Sequence, residues 1–436
     1  MSAGKYYIET YGCQMNEADS EIIAGILQQN HYVAAEEPGE ADIIFVNTCS
    51  VRQGAENRAL ARLAQFKSMK KKNPHLLIGF VGCVAQRDRG RIVTERPYID
   101  FVLGPDAYRR IPDLLDSQTC PVIDVHLSKH EVYSGLVPHR RSIVNAWISI
   151  MRGCDKFCAY CIVPFTRGRE RSRSVDSILE EVNRAVGDGF REVTLLGQNV
   201  NSYSSNGYMF PDLLKKVALV PGLQRIRFTS PHPADVTVEM LAVMREYDNI
   251  CKHIHLPLQS GSSRILSRMK RTYTQTDFLG LVENIRNYLP DCGLTTDIIV
   301  GFPSESRSDF EETLQVMDEV VFDSAYMFKY SPRPGTAAAK MADDVPEAEK
   351  AERLNRIIAK QKKHTSFRYR QAVGTIQSVL VEGVSKKDPT EKIGRTDSNK
   401  LVILKEGRAE IGDMVDALIS GTAGVSLFGK ITQKRG

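Results

Sequence analysis

Three cysteines in the run Gly153-Cys154-Asp155-Lys156-Phe157-Cys158-Ala159-Tyr160-Cys161 are spaced Cys-x3-Cys-x2-Cys. A closed four-iron cluster takes four thiolates, so three in one loop leave an iron open to an exchangeable molecule. An open iron is a place for chemistry rather than for electron carriage alone. Structural zinc is the other reading of a cysteine run, but it normally draws four ligands in two pairs, and no second pair follows Cys161.

Cys13, Cys49 and Cys83 lie far apart, yet each ends a run that reads as a strand: Tyr11-Gly12-Cys13, Asn47-Thr48-Cys49 and Val81-Gly82-Cys83. Taken singly, each reads as a buried apolar cysteine, since free cysteine is among the most buried residue types. Loops beyond the carboxyl ends of neighbouring parallel strands converge on one crevice, so the shared placement predicts three thiols meeting at one edge. Cys120, Cys251 and Cys292 lack that placement and read as structural.

Both sets need elements to hold them, and the pattern is α/β. Residues 1–125 alternate strands (5–11, 42–47, 76–81) with helices (18–29, 55–71), predicting a parallel α/β domain. Ile22, Ile23, Ile26 and Leu27 recur at helical spacing, as do Leu60, Leu63, Ala64 and Phe66. Residues 126–141 read as a polar linker. A second domain, 140–371, has strands at 146–150, 192–196, 224–228, 253–256, 295–300 and 323–328, predicting a partial (βα)6 barrel closed by a charged helix at 346–371. The cluster loop follows its first strand, at the C-terminal mouth where such barrels place active sites. From 372 to 436, strands at 375–382, 391–396, 400–404, 414–420 and 424–430 predict a small antiparallel β-barrel.

Composition bounds the function. The 436 residues are 42% apolar and 25% charged, enough for about three domains. Nine cysteines in so long a chain do not make a secreted disulfide framework, and the first residues carry no apolar leader. No run reaches the ~18 apolar residues of a membrane span. The expectation is a soluble cytoplasmic enzyme, and the net charge of +5 hints at a polyanionic partner.

The cluster loop with its continuation, Ile162-Val163-Pro164-Phe165-Thr166-Arg167-Gly168-Arg169-Glu170-Arg171-Ser172-Arg173, resembles the methylthiotransferases of the radical-SAM superfamily. So does Thr10-Tyr11-Gly12-Cys13-Gln14-Met15-Asn16. Within that family, Gln14-Met15-Asn16, the run Asn47 to Arg52, Val381-Glu382-Gly383, Lys386-Lys387 and Gly394-Arg395-Thr396 are similar to the branch acting on isopentenyl-adenosine in tRNA, nearly end to end. The resemblance implies a 4Fe-4S cluster on Cys154, Cys158 and Cys161 with S-adenosylmethionine (SAM) on its open iron. It implies an auxiliary 4Fe-4S cluster on Cys13, Cys49 and Cys83, and a C-terminal TRAM domain, OB-like, that binds RNA. The implied reaction converts isopentenyl-adenosine beside the anticodon to its 2-methylthio derivative. One SAM methylates a sulfur and a second yields a 5′-deoxyadenosyl radical. The implied partners are the tRNA anticodon stem-loop, a flavodoxin- or ferredoxin-like electron donor and a sulfur-delivery protein, with the chain acting as a monomer.

SAM contacts are expected at strand ends. Many radical-SAM enzymes carry Gly-Gly-Glu after the second barrel strand; here the residues are Leu196-Gly197-Gln198-Asn199. The amine contact is therefore expected at Gln198 or at backbone carbonyls, with Ser230, Gln259 and Asp297 as further contacts. A helix cap or loop hydrogen bond is the plainer reading of each. Arg167, Arg169, Arg171 and Arg173 either meet RNA phosphates or pair with barrel acids. Arg264, Arg268, Lys270 and Arg271 form another basic face. Lys386, Lys387, Arg395, Lys400 and Phe428 are the phosphate and stacking candidates of the small barrel, which is only mildly basic, with 10 Lys or Arg against 8 Asp or Glu from Gln371 on. Two rival functions are a sister methylthiotransferase, acting on threonylcarbamoyl-adenosine or a ribosomal-protein aspartate, and an iron–sulfur RNA-binding redox sensor. The open iron argues against the sensor.

Overall fold

Alternating apolar strands and amphipathic helices build a six-stranded parallel sheet at the N-terminus of the computed structural model, which describes residues 4–116 and 120–435. The strands are β1 (Lys5–Tyr11), β2 (Val33–Ala34), β3 (Ile43–Thr48), β4 (Leu77–Gly82), β5 (Phe101–Leu103) and β6 (Val122–Asp124), in the order β2-β1-β3-β4-β5-β6. Every residue of β3 is buried, as a strand must be when helices cover both faces. Helix α1 (Gln14–Gln29) packs Ile22, Ile23, Ile26 and Leu27 on one side. On the other, α2 (Gln53–Lys72) packs Ala59, Leu63 and Phe66. A short helix, α3 (Cys83–Asp88), follows β4 directly. The pattern does not predict β2, β5 or β6, because two or three residues are too few to display a period. Nor is the stretch 126–141 a free linker. Tyr133 is 2% exposed and His139 donates its backbone N–H to Glu21 O at 2.8 Å, so the segment is threaded over α1.

Six parallel strands follow: β7 (Asn145–Ser149), β8 (Glu192–Leu196), β9 (Arg225–Phe228), β10 (His253–His255), β11 (Gly293–Val300) and β12 (Ser324–Lys329). The first three form one hydrogen-bonded sheet and the last three another, and backbone bonds from Ile226 to Asn249 and Cys251 join them. The result is a partial (βα)6 barrel, open between β7 and β12. Four of its helices begin at Ser174, Thr237, Thr274 and Ser306, whose side chains accept backbone N–H groups of the first turn; each cap contributes about 1 kcal/mol. Ile148, Leu195, Ile226 and Ile254 of the strands share one core with these helices. Helix α4 (Val163–Thr166) ends the cluster loop, and α5 (Glu347–Gln371) is the charged closing helix. Among the described residues, no helix is long and apolar enough to cross a membrane.

The C-terminal strands β13 (Ile376–Val384), β14 (Lys392–Thr396), β15 (Leu401–Glu406), β16 (Met414–Ala423) and β17 (Ser426–Arg435) close a barrel in the order β13-β14-β15-β17-β16. The pair β15–β17 is parallel, which corrects the wholly antiparallel expectation. An odd number of strands in a closed ring cannot alternate in direction all the way round.

This small barrel sits against the N-terminal ends of β9 to β12. Arg225 donates to the carbonyls of Arg395 (2.6 Å) and Ser378 (2.8 Å), and Arg227 to those of Thr396 (2.9 Å) and Asp397 (3.3 Å). Lys400 pairs with Asp323 at 2.6 Å, which removes it from the phosphate candidates. The small barrel thus floors the large one. Hydrogen bonds with a charged donor contribute about 1.5–3 kcal/mol each, a large share of the 5–15 kcal/mol that typically holds a domain together. A chain ending before Val373 is therefore expected to unfold at lower temperature than the full chain. Thermal unfolding of the two checks this; an equal midpoint would mean the floor contacts do not hold the larger barrel.

Candidate active site

Cys13, Cys49 and Cys83 follow β1, β3 and β4, which are adjacent strands: Tyr11 pairs with Thr48, and Thr48 with Gly82. The three thiols are therefore brought to one sheet edge, where Cys13 Sγ donates to Asn16 Oδ1 at 3.4 Å and the Val51 N–H donates to Cys49 Sγ. Gly12 permits this approach, since a β-carbon there would stand 2.9 Å from Cys49 Cβ and 2.3 Å from Asn16 Oδ1. Gly82 holds φ at +95°, a value natural only to glycine, and turns β4 straight into Cys83 at the start of α3. Buried Asn16 and Asn47 bond to one another and brace the start of α1 against the end of β3. The neighbouring Cys49 thiol draws the Cys13 thiol down and is itself pushed up by Cys13, while burial pushes Cys83 up.

Cys154, Cys158 and Cys161 lie half-buried between β7 and α4, at the C-terminal mouth of the large barrel. Burial pushes Cys154 up to about 11 and Cys161 up to about 12. Metal binding needs the thiolate, which burial disfavours, so donors aimed at sulfur are the compensating feature to look for. They are present. Arg271 donates to Cys158 Sγ at 3.3 Å, Arg167 to Cys83 Sγ at 3.1 Å, and the Val51 N–H to Cys49 Sγ at 3.4 Å. Among the described residues, no three His, Cys, Asp or Glu converge as a single-ion site. The donor chemistry, three thiols per set with N–H groups directed at sulfur, fits iron–sulfur clusters.

Two cavities adjoin these cysteines. The lumen of the large barrel, about 570 Å3, runs from Cys13 past Trp147, Ser230 and Asp297 to Glu382 and Arg395 of the small barrel. A second, mostly apolar cavity of about 650 Å3 lies between residues 51–54 and the ends of β11 and β12, and is lined by Cys161, Gln259, Asp297 and Phe328. Asp297 borders both, with its carboxylate 3.4 Å from His255 Nε2. Of the expected SAM contacts, Ser230, Gln259 and Asp297 thus face a cavity. The others do not. Asn199 donates to Asp235 and accepts from the His232 N–H, bracing two loops while 1% exposed. Gly197 packs beneath Met151. Gln198 accepts the Gly153 N–H at 2.6 Å and so holds the cluster loop.

Several basic RNA candidates are also corrected, because burial has already given them partners. Arg167 grips Asp19 at 3.1 and 2.6 Å. Arg171 and Arg152 both reach Asp106, at 3.3 and 2.7 Å, and Arg173 pairs with Glu181 at 2.6 Å. Meeting phosphate would strip these acids of their counter-charges inside the protein, a costly exchange. Arg271 is held by Cys158, Tyr273 and Pro257, and Arg264 by Asp309. Arg169 is exposed, stacked over Phe157 and paired with Asp155. Lys386 and Lys387 are exposed beyond β13, while Arg395 pairs with Glu382 at the lumen floor and Phe428 lies under Lys405. Cys120 is exposed rather than structural. Sequence reasoning missed Asp19, although an acid beside Ala18, three residues before Ile22, in a helix with an apolar face was a usable signal.

Residues 5–104 match the family described as Uncharacterized protein family UPF0004, 148–317 the Radical SAM superfamily and 370–432 the TRAM domain. A tRNA-2-methylthio-N(6)-dimethylallyladenosine synthase from Bacteroides fragilis is 48% identical across 98% of this chain and 95% of its own length. The chain belongs to this synthase family. Other synthases of the family, from Porphyromonas gingivalis and Chloroherpeton thalassium, are 48% and 45% identical over the same shares of each chain. Among solved structures, the radical S-adenosylmethionine methyltransferase TsrM from Kitasatospora setae has a TM-score of 0.56 at 12% identity, covering 77% of this chain and 75% of its own. The cobalamin-dependent radical enzyme OxsB has a TM-score of 0.55, covering 83% and 56%. Those two likenesses are of fold. Membership of the synthase family carries SAM and 4Fe-4S chemistry, with tRNA as the class of substrate.

Proposed function

We propose that this chain converts N(6)-dimethylallyladenosine beside the anticodon of tRNA to its 2-methylthio derivative. One observation carries the reading: the lumen that begins at Cys13 and ends at Arg395 of the small barrel shares the wall residues Arg52 and Asp297 with the cavity that Cys161 lines, so a cysteine of each set faces one of two adjoining cavities. The units divide the work as 1–125 for an auxiliary cluster, 140–371 for SAM and 372–436 for RNA. Bound here, two 4Fe-4S clusters and SAM supply sulfur, a methyl group and a 5′-deoxyadenosyl radical able to take hydrogen from unactivated carbon.

The protein's own residues position and shield. Cys13, Cys49 and Cys83 hold one cluster and Cys154, Cys158 and Cys161 the other, while Ser230, Gln259 and Asp297 orient SAM. The adenine enters through the gap between β7 and β12, where Trp147 and Tyr326 offer aromatic faces to a base flipped out of its single-stranded loop. Arg225 and Arg227 seal the floor against water through their bonds to the small barrel. Arg169, Lys386 and Lys387 are the exposed cations for phosphate. The partners are a flavodoxin- or ferredoxin-like electron donor and a sulfur-delivery protein, and the chain works as a cytoplasmic monomer.

Reconstituted protein, SAM and a strong reductant should yield 2-methylthio nucleoside on a prenylated anticodon stem-loop, read by mass spectrometry of the digested RNA. Release of 5′-deoxyadenosine with no methylthio product on that stem-loop would assign the chemistry to another substrate.

A further inference from the structure

Arg167 touches both halves of the site. It leaves the cluster loop at the end of α4, yet its Nε donates to Cys83 Sγ at 3.1 Å and its two terminal nitrogens grip Asp19 of α1 at 3.1 and 2.6 Å. The side chains are 2% and 0% exposed. Tyr133 donates its hydroxyl to the same Asp19 at 3.0 Å, and its ring lies 3.7 Å beneath the guanidinium of Arg152. Arg152 and Arg171 share Asp106. In this buried group three guanidinium ions face two carboxylates; the Glu131 carbonyl accepts from Arg152 and Arg171, and the sulfur of Cys83 is the acceptor left to Arg167 Nε.

We infer that Arg167 is a positioning residue that locks Cys83 to the loop of the other cysteine set and raises the reduction potential of the cluster bound at Cys13, Cys49 and Cys83. The inference rests on the reading of those three thiols as a cluster site. A cation donating to a ligand sulfur stabilises the reduced, more negative cluster, and hydrogen bonds to sulfur are among the factors that set such potentials. Only arginine does this with one side chain: its planar fork serves the sulfur with Nε while both terminal nitrogens hold a carboxylate. Lysine keeps the charge but not the double grip.

The test uses full-length protein carrying Cys158→Ala, so that the auxiliary cluster alone is present, and follows its electron paramagnetic resonance signal through a redox titration. Asp19→Asn combined with Arg167→Met removes both buried charges together, so neither is left unpaired. Its cluster should titrate at a more negative potential than the parent's. Arg167→Lys keeps the buried charge, which preserves a folded variant for measurement, and should shift the potential in the same direction by less. Full iron content with the parent potential in both variants would overturn the inference. Loss of all iron in the Cys158→Ala parent would instead overturn the cluster reading itself, on a separate measurement.

Discussion

Cys158→Ala is expected to abolish 5′-deoxyadenosine release, whereas Cys49→Ala is expected to abolish the methylthio product and leave SAM cleavage measurable. The two thiols belong to sets on different units, each with its own donors to sulfur: Arg271 for Cys158, the Val51 N–H for Cys49. A three-thiolate site has no spare ligand, so each substitution should remove the iron of one cluster and spare the other. Iron content and chromatography of the SAM products read the two outcomes. Wild-type iron and full methylthio product from Cys49→Ala would make the N-terminal thiols structural.

A stem-loop carrying the prenyl group should be modified on the order of a hundredfold faster than the same stem-loop with plain adenosine. The apolar cavity beside residues 51–54 and the aromatic walls of the lumen offer places to bury the prenyl carbons, at roughly 25 cal/mol per Å2 of apolar surface. Without them the adenine sits loosely, and a misplacement of about 1 Å can cost about a hundredfold in rate. Two anticodon stem-loops differing only in that group, scored for 2-methylthio product, make the comparison. Equal rates, or turnover on a threonylcarbamoyl substrate alone, would transfer the activity to a sister enzyme.

The cysteine sets were legible in the sequence because both depend on local pattern: a loop spacing in one case, strand ends in the other. The six βα units of the large barrel were legible for the same reason. The fate of the arginines was not. Arg167 meets an acid 148 residues away and Arg171 one 65 residues away, and nothing in the alternation of arginines after Cys161 says whether that face meets water or another domain. The bracing role of Asn199, expected as a SAM contact, was hidden likewise, since its partners Asp235 and His232 lie on a different loop. The parallel pairing of β15 with β17 follows from ring closure, which no single strand displays.

Chain separation also imposes an order of assembly. Cys154, Cys158 and Cys161 lie within one eight-residue stretch, so they stay close in a chain that has barely begun to fold. Cys13, Cys49 and Cys83 meet only when β1, β3 and β4 have paired in parallel across two helical crossovers, a non-local event that is intrinsically slow. The loop is therefore competent to receive iron while the sheet is still unformed, whereas the sheet-edge site matures only with its domain. Partial unfolding should reverse the sequence, releasing the sheet-edge iron as one cooperative step before the loop gives up its own.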